Sequence, residues 1–386
     1  MKKRGVIASL ALVSATALAL GGCAQSSTQS PANNASGGAD KSLTVFISGD
    51  TNVQDLWQKS LVPAFVKANP GYSVQVNIDL HGQHDSQTMA KLTSATQQKK
   101  DPGFDLVDGG FVSQASTAGL LTEVSSSNLP PLADLPQNIV KAGGNGGIPY
   151  RASSVLLAYN TKTVSSPPKT LDDLLAWIKA NPGKFTYNTP NSGGSGQSFV
   201  TTVLDKYVPA ADRAKMVTGY AKDLEKDWDQ GFATLAGLNS SMYQKGVYPN
   251  GNNQVLELLA SGQISMAPVW SDQFITGQKT GTIPANISYT QISDPSFTGG
   301  AAYLGIPKSS GHQDGALKLA NWVLSPEAQS LMSTSLAGYP VIPLDKLPQD
   351  VQDKFKSADI NNLRPTYFSQ MTQDLNNLWA QKVPGK

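Results

Sequence analysis

The sequence predicts an α/β fold, because strand-like and helix-like patterns alternate along it. After residue 42, short runs rich in β-branched and aromatic residues alternate with amphipathic segments of helical period. Strands that alternate with helices at this spacing form βαβ units, and such units build a largely parallel sheet. The chain contains no internal repeat.

The predicted strands are short and end in turns. The first strand is followed by the polar turn Gly49-Asp50-Thr51-Asn52, and the third ends at Asp108-Gly109-Gly110. Alternation of apolar and polar residues predicts the second strand. The predicted strands are residues 43–48, 72–78, 104–107, 155–159, 264–269 and 303–306.

The predicted helices follow from apolar spacing and from capping signals. Pro63 lies inside the first helical segment and is expected to kink or restart it, because proline has no amide hydrogen. Thr170 and Asp173 form a capping-box pattern, and Ser325 is an N-cap followed by a proline at the first helical position. Helices are predicted over residues 53–68, after Thr170, from near Phe199, over 254–260 and 316–324, after Ser325, and over 368–381.

The N-terminus has the pattern of a signal peptide, expected over residues 1–22. Met1-Lys2-Lys3-Arg4 precedes a 15-residue, mostly apolar stretch at 6–20, which is shorter than the about 20 residues that span a bilayer. Leu20-Gly21-Gly22-Cys23 resembles the lipobox of bacterial lipoproteins, in which the cysteine receives a lipid. We therefore expect an extracytoplasmic protein, anchored to the cell membrane at Cys23 through a flexible tether at 23–41.

Charge and cysteine content limit the possible functions. Three of the 30 basic residues lie in the expected signal peptide, so 27 basic and 28 acidic residues remain, a formal charge of −1. This balance argues against nucleic-acid binding, which needs a concentrated basic face. Cys23 is the only cysteine, so the fold must be stabilised by its hydrophobic core without disulfides. A chain of this size usually divides into two lobes.

Several segments resemble landmarks of bacterial extracellular solute-binding proteins, and they occur in that family's order. The resemblance covers roughly residues 43–340 and is closest to the branch of polyamine-, iron-, thiamine- and phosphonate-binding proteins. The segments are residues 61–71 (LVPAFVKANPG), 104–107 (FDLV), 158–160 (AYN), 258–262 (LLASG) and 320–329 (ANWVLSPEAQ).

The resemblance implies a two-lobed, type II periplasmic-binding-protein fold with the ligand in the cleft between the lobes. Lobe one is expected to comprise residues 42–152 and 290–345, and lobe two residues 153–289. The C-terminal helices, 346–386, are expected to pack on lobe one. The lobes would close on the ligand about strands near 151–158 and 287–292.

Candidate ligand contacts lie on turns that follow strands, because ligands bind beyond the carboxyl ends of parallel strands. Asp50 and Asn52 follow the first strand, and the Gly109-Gly110 pair would let backbone amides approach a ligand. The loop before the helix near Phe199 offers amides and hydroxyls suited to an anion, or is a plain capped surface loop. The candidate residues of this loop are Ser192, Gly193, Gly194, Ser195, Gly196 and Gln197.

The remaining candidates are aromatic or charged. Tyr150 and Arg151 precede a lobe-crossing strand, and Arg151 suits a carboxylate or phosphate unless it forms a structural ion pair with Asp272. Trp270 with Asp272 suits a sugar, a ring or an organic cation, the alternative being core packing. Tyr303 and Tyr339 are lesser candidates.

Metal and enzyme chemistry find little support. His81 and His84 have usable spacing without a cysteine partner, and the tyrosine pair of iron-binding relatives is absent, so we expect no metal and no cofactor. The segment at Ser195 lacks the final glycine of a Gly-x-Ser-x-Gly elbow, and the prolines of Ser166-Pro-Pro-Lys169 prevent a Ser-x-x-Lys helical turn. We expect no enzymatic activity.

The leading hypothesis is a monomeric, lipid-anchored solute-binding protein that delivers a small polar or anionic ligand to an ABC importer. The alternatives are a surface lipoprotein hydrolase acting on cell-wall glycan and a purely structural lipoprotein. The sequence leaves the ligand open, because its contacts come from loops scattered along the chain.

Overall fold

The computed structural model describes residues 41–80, 82, 84–356 and 363–384. The expected signal peptide, most of the tether, Cys23 and His81 lie outside the described residues. Within the described part, no helix combines the length and apolar character needed to cross a membrane. The strands are β1 (Ser42–Gly49), β2 (Ser73–Leu80), β3 (Leu106–Asp108), β4 (Gly147–Asn160), β5 (Met266–Trp270), β6 (Ile287–Thr290) and β7 (Gly299–Gly305).

Helices connect nearly all of these strands, which confirms the α/β class. Both predicted N-caps are formed: Thr170 Oγ1 accepts a hydrogen bond from the Asp173 amide at 3.1 Å, and Ser325 Oγ accepts one from the Ala328 amide at 3.3 Å. The helices are α1 (Thr51–Asp55), α2 (Val62–Ala68), α3 (Asp85–Gln98), α4 (Val112–Thr117), α5 (Gln137–Ala142), α6 (Leu171–Ala180), α7 (Gly194–Asp205), α8 (Ala210–Thr218), α9 (Asp229–Gly237), α10 (Asn252–Ala260), α11 (Ser271–Thr280), α12 (Gln313–Val323), α13 (Pro326–Ser335), α14 (Gln349–Phe355) and α15 (Ser369–Lys382).

Pro63 does not break the first helical segment. A π-helical stretch, Leu56–Leu61, joins α1 to α2, and the Val62 amide bonds to the Trp57 carbonyl five residues back. The wider π turn shifts the hydrogen-bond register just before the proline, so that the missing amide falls in the first turn of α2. The expected kink is therefore replaced by a change of helix type.

The sheet is parallel only in its first part. The strand order is β2-β1-β3-β7-β4-β5, with β6 also paired to β4. β1 lies parallel to β2 and to β3, whereas the pairings of β7, β5 and β6 are antiparallel. The prediction of a largely parallel sheet was wrong beyond β3, because β4 and the strands beside it run in opposite directions without βαβ crossovers.

A single strand, β4, belongs to two sheets. Its first half pairs with β7 as far as the Ser154–Gly299 pair, and its second half pairs with β5 from the Val155–Trp270 pair onward. β6 pairs only with the second half of β4, so the chain returns to the first sheet between Thr290 and Gly299. The position where β4 changes partners falls inside the hinge segment expected at 151–158.

Two large hydrophobic cores lie on either side of this change of partners. One includes Val45, Ile148 and Leu304, and the other includes Leu157, Phe199 and Phe232. A smaller cluster, which includes Leu156, Val269 and Phe274, packs on the second half of β4. The core memberships are consistent with two lobes; the predicted lobe boundaries stay a prediction.

The two C-terminal helices pack on different cores. Val351 and Phe355 of α14 belong to the first core, in line with the expectation for residues 346–386. Met371, Leu375 and Trp379 of α15 instead lie in the second core. The expectation that the closing helix packs on lobe one was therefore wrong: its apolar stripe was predicted correctly, but periodicity does not tell which core the stripe faces.

Candidate functional site

The parallel strands carry their polar side chains at one edge. In register, Ser48 of β1 pairs with Asp79 of β2, and Ile47 pairs with Asp108 of β3. Asp50 follows β1 directly and is the N-cap residue of α1. Asp85 begins α3, and its carboxylate accepts a hydrogen bond from the Ser48 hydroxyl. We call Asp50, Asp79, Asp85 and Asp108 the acidic edge.

Asp50 links this edge to helices that pack with the second half of β4. Its Oδ2 accepts hydrogen bonds from Asn252 Nδ2 at 3.0 Å and from Gln273 Nε2 at 2.9 Å. Asn252 begins α10, and Gln273 lies in the first turn of α11. The expected cleft residue Asp50 is therefore a contact between the two halves of the fold, which we call the interlobe contact.

Arg151 is held on the first sheet by a chain of buried polar groups. Its Nε donates to the Tyr150 hydroxyl at 2.9 Å, and that hydroxyl donates to Asp108 Oδ2 at 2.5 Å. The indole nitrogen of Trp57 donates to the same carboxylate oxygen at 2.9 Å. Burial raises the pKa of Asp108 above its usual value, and the nearby Arg151 charge and both donors lower it.

Arg151 also forms the ion pair that the sequence left as an alternative. Its Nη1 lies 3.4 Å from Asp272 Oδ2, and both side chains are largely buried. Burial raises the pKa of Asp272, which Arg151 lowers and the Asp50 charge raises. The Tyr150 pKa is raised, chiefly by burial. In this structure Arg151 therefore joins the two halves of the fold through Asp272, and Tyr150 holds Arg151 on the first sheet.

The helix N-terminus at the glycine-rich loop is already capped. α7 begins at Gly194, five residues before the predicted start near Phe199. The amide of Ser195 donates to Asn252 Oδ1 at 3.3 Å, and that of Gly196 donates to Asn188 Oδ1 at 2.8 Å. The Ser195 hydroxyl bonds to the same two side chains. The expected anion-binding amides of these two residues therefore have partners within the protein.

The outer residues of this loop have mixed environments. Ser192 Oγ accepts a hydrogen bond from the Gly251 amide at 2.8 Å and donates to the Thr189 carbonyl at 2.9 Å. The Gly193 carbonyl accepts from Asn188 Nδ2 at 2.8 Å. Gln197 is half-buried, and its amide bonds to the Gly193 carbonyl. Ser192 and Gly193 thus hold the loop in shape.

Trp270 ends β5 and is half-buried. It packs at the border of the second core and pairs across the sheet with Val155. A side chain at Gly194 would bring its Cβ within 2.7 Å of Trp270 Cζ2, so glycine lets the N-terminus of α7 lie directly against the ring. Part of the Trp270 ring therefore packs against α7, and the rest of the side chain is accessible to solvent.

The remaining candidates differ in how far the structure involves them. The Tyr303 hydroxyl donates to the Ile139 carbonyl at 2.8 Å, and its pKa is raised by burial. The Tyr339 hydroxyl lies 3.2 Å from Ser154 Oγ, beside the position where β4 changes partners. Gly110 is exposed with open space around it, while a Cβ at Gly109 would crowd Phe111 and Ser48. Asn52 is half-buried and its Oδ1 accepts from the Val53 amide at 3.0 Å.

Sequence reasoning missed four polar residues that organise the site: Asp108, Asn188, Asn252 and Gln273. Asp108 carried a usable signal, because it is an acid directly at the carboxyl end of a buried strand. Asn252 follows a glycine at the start of a helix, which suggested only a cap. Nothing in the sequence marked Asn188, although its partners lie within eight residues, or Gln273, whose partner Asp50 lies 223 residues away.

One group in the described residues could hold a metal ion. Ligand atoms of Asp101, Asp105 and His312 all lie within 4.8 Å of one another. Asp105 is buried, and its Oδ1 accepts from Ser310 Oγ at 2.7 Å and contacts His312 Nδ1 at 3.0 Å. These hydrogen bonds explain why the three side chains lie together: they connect two loops. His84, half of the histidine pair noted in the sequence, lies 2.7 Å from Asp79.

Comparison with known proteins agrees with this architecture. Residues 60–360 match the family model described as bacterial extracellular solute-binding protein. The chain belongs to that family. Protein YnjB of Escherichia coli (strain K12) is 25% identical over 227 residues, so this chain spans about half the length (56%) of that curated relative.

Solved structures share the fold at low identity. Maltose-bound T. maritima MalE3 has a TM-score of 0.68 at 14% identity, covering 88% of this chain and 93% of that one. A solute-binding protein from Thermotoga lettingae bound with α-D-tagatose has a TM-score of 0.64 at 20% identity, covering 88% and 94%. An ABC transporter structure from Clostridium perfringens has a TM-score of 0.64 at 15% identity, covering 88% and 99%. These matches establish the two-lobed, type II binding-protein fold.

Proposed function

We propose that this chain is a lipid-anchored solute-binding protein that takes up a small polar ligand between its lobes and delivers it to an ABC importer. The observation that carries the proposal is the interlobe contact. Polar groups of Asp50, Asn252 and Gln273 come from the two halves of the fold, which share the strand β4, and bond to one another. A ligand held there would contact both lobes at once.

The proposed mechanism is closure of the lobes about the segment where β4 changes partners. Lobe one would comprise residues 42–152 and 290–345, and lobe two residues 153–289. A ligand that contacts both lobes binds the closed state better than the open one, so it shifts the population toward closure. The membrane subunits of an importer would then recognise the closed shape.

A direct test combines two measurements on the purified protein. Native mass spectrometry of protein that has never been unfolded should detect a carried small molecule at one per chain. Small-angle scattering should then show a smaller radius of gyration in the presence of that molecule. Binding without any compaction would contradict the closure mechanism, and the absence of any bound or bindable solute would contradict the function.

The proposed anchor is a lipid on Cys23. The basic start, the short apolar stretch and the Leu-Gly-Gly-Cys pattern support it. The Cys23→Ala variant should be recovered as soluble protein with an unchanged circular dichroism spectrum, because the cysteine precedes the folded residues. Recovery of this variant in the membrane fraction at the wild-type level would refute the anchor.

The hydrolase alternative is not favoured by the family assignment, since the family consists of binding proteins. The two functions differ in a simple assay. A binding protein holds its ligand at a fixed ratio without changing it, whereas a hydrolase turns over cell-wall glycan. Incubation with glycan fragments should therefore release no products.

A further inference from the structure

We propose that the ligand is a small organic cation, whose ammonium or guanidinium group is held by Asp50 and Gln273 at the interlobe contact. The inference rests on the proposed function and names the ligand class for the same site. It departs from the anionic ligand that Arg151 and the glycine-rich loop suggested. Four observations carry it.

The first observation is the charge of the acidic edge. Asp50, Asp79, Asp85 and Asp108 all lie at or just beyond the carboxyl ends of β1, β2 and β3. The segments that follow these strands, residues 49–55, 82–88 and 109–118, contain neither lysine nor arginine. An edge of one charge sign raises the local concentration of ligands of the opposite sign.

The second observation is that two cations beside this edge, and groups in the first turns of α7 and α11, already have partners within the protein. Arg151 contacts Tyr150 and Asp272, and His84 contacts Asp79. The first turn of α11 carries Asp272, whose Oδ1 accepts from the Gln273 amide at 2.9 Å. The amides of Ser195 and Gly196, in the first turn of α7, bond to asparagine side chains. An anionic ligand would have to displace these partners and would face the carboxylates as well.

The third observation is an unsatisfied acceptor. Gln273 is only 7% exposed, and its Oε1 has no hydrogen-bond partner among the described residues. Its Nε2 donates to Asp50 Oδ2 at 2.9 Å and lies 3.4 Å from Asn253 Oδ1, so a reversed amide would set oxygen against oxygen. A buried acceptor without a donor destabilises the protein, because it has lost its hydrogen bonds to water. An N–H group of the ligand would recover this cost.

The fourth observation is the accessible part of Trp270, which lies immediately before the helix that carries Gln273. An aromatic ring attracts a cation that lies over its face and packs against alkyl chains. Carboxylate, amide oxygen and ring together match a positively charged, N–H-donating group on a short apolar body. None of the three favours a free carboxylate or phosphate.

The test uses three probe classes on the full protein: putrescine and agmatine as cations, succinate and methylphosphonate as anions, and maltose as a neutral sugar. Thermal-shift measurements rank them, and calorimetry gives affinities for those that stabilise the protein. The inference predicts that a cation stabilises the protein at concentrations where the anions do not, and that its affinity falls as salt is raised. Stabilisation by an anion or by maltose alone would overturn the inference and leave the solute-binding function standing.

A pair of variants locates the cation. Asp50→Asn should weaken binding of the cation by tenfold or more, whereas Asp134→Asn, which removes an equal charge at an exposed ion pair elsewhere, should change it by less than twofold. An equal effect of both variants would overturn the assignment to Asp50. If no probe of any class binds and native mass spectrometry finds no carried solute, the proposed function fails together with the inference.

Discussion

The Tyr150 hydroxyl has two charged partners in the protein interior, and its removal gives a sharp test of the buried polar chain. In Tyr150→Phe, Asp108 loses one of its two side-chain donors and Arg151 Nε loses its acceptor. The ring itself is fully buried, and phenylalanine fills nearly the same volume. The substitution therefore isolates the hydroxyl from the packing of the ring.

The expected cost follows from the two bonds. Hydrogen bonds to charged groups contribute about 1.5–3 kcal/mol each, so the variant should lose about 3 kcal/mol or more. An unfolding entropy of about 2.1 cal/mol/K per residue, over about 340 residues, converts 3 kcal/mol into a fall in Tm of about 4 °C. Because burial already raises the pKa of Asp108, loss of a donor raises it further.

The raised pKa gives the effect a pH dependence of known sign. A carboxyl whose native pKa lies above its unfolded value destabilises the fold increasingly as pH rises from the unfolded pKa, and the penalty is complete once pH exceeds the native pKa. The cost of Tyr150→Phe should therefore be larger at pH 8 than at pH 5. Thermal or urea unfolding at both pH values measures it.

Tyr303→Phe is the matched control. Its hydroxyl donates to a neutral carbonyl, that of Ile139, so the control should lose about 1 kcal/mol with little dependence on pH. If Tyr150→Phe costs no more than Tyr303→Phe at pH 8, Tyr150 does not stabilise a buried carboxylate and the reasoning is refuted.

Three further predictions concern stability. Burial raises the pKa of Asp85 to about 6, so Asp85→Asn should stabilise the protein by up to about 3 kcal/mol at pH 8 and by only about 0.5 kcal/mol at pH 4, measured by thermal unfolding. An equal gain at both pH values would contradict this. Gly194→Ala sets a methyl group against the tryptophan ring and should cost about 1–3 kcal/mol in urea unfolding, whereas Gly237→Ala, with open space around it, should be neutral or stabilising. Arg364→Ala leaves the buried Asp205 without its ion-pair partner and should cost about 3–5 kcal/mol; a Tm within 1 °C of wild type would exclude a stabilising pair.

Local elements were predictable wherever the signal is local. All six predicted strands overlap observed ones, and the caps at Thr170 and Ser325 form as the side-chain chemistry requires. The direction of the later strands was not predictable, because it depends on how the chain returns across β4. The core that α15 joins was not predictable either, since an apolar stripe fits any complementary surface.

The site was predictable only as a set of turns. Placing polar residues after strands selected Asp50 and residues at the ends of β3 and β5 as candidates, and their contact with a ligand stays a prediction. The partners of Asp50 lie 202 and 223 residues further along the chain, and no local pattern reports a contact at such separation. The same limit applies to Arg151, for which charge alone could not distinguish a ligand contact from the ion pair with Asp272, 121 residues away.

The packing of the last helices has a consequence for how the chain matures. The first core includes Phe355 and the second includes Trp379, so neither core can be completed until nearly the whole chain has been synthesised. Proteins begin to fold from the N-terminus as they emerge from the ribosome, and stable early domains form when their contacts are local. Here each core lacks one of its helices until the C-terminal part of the chain has been made. This layout favours folding late in synthesis, and a chain that folds late is compatible with transfer across a membrane in an extended state.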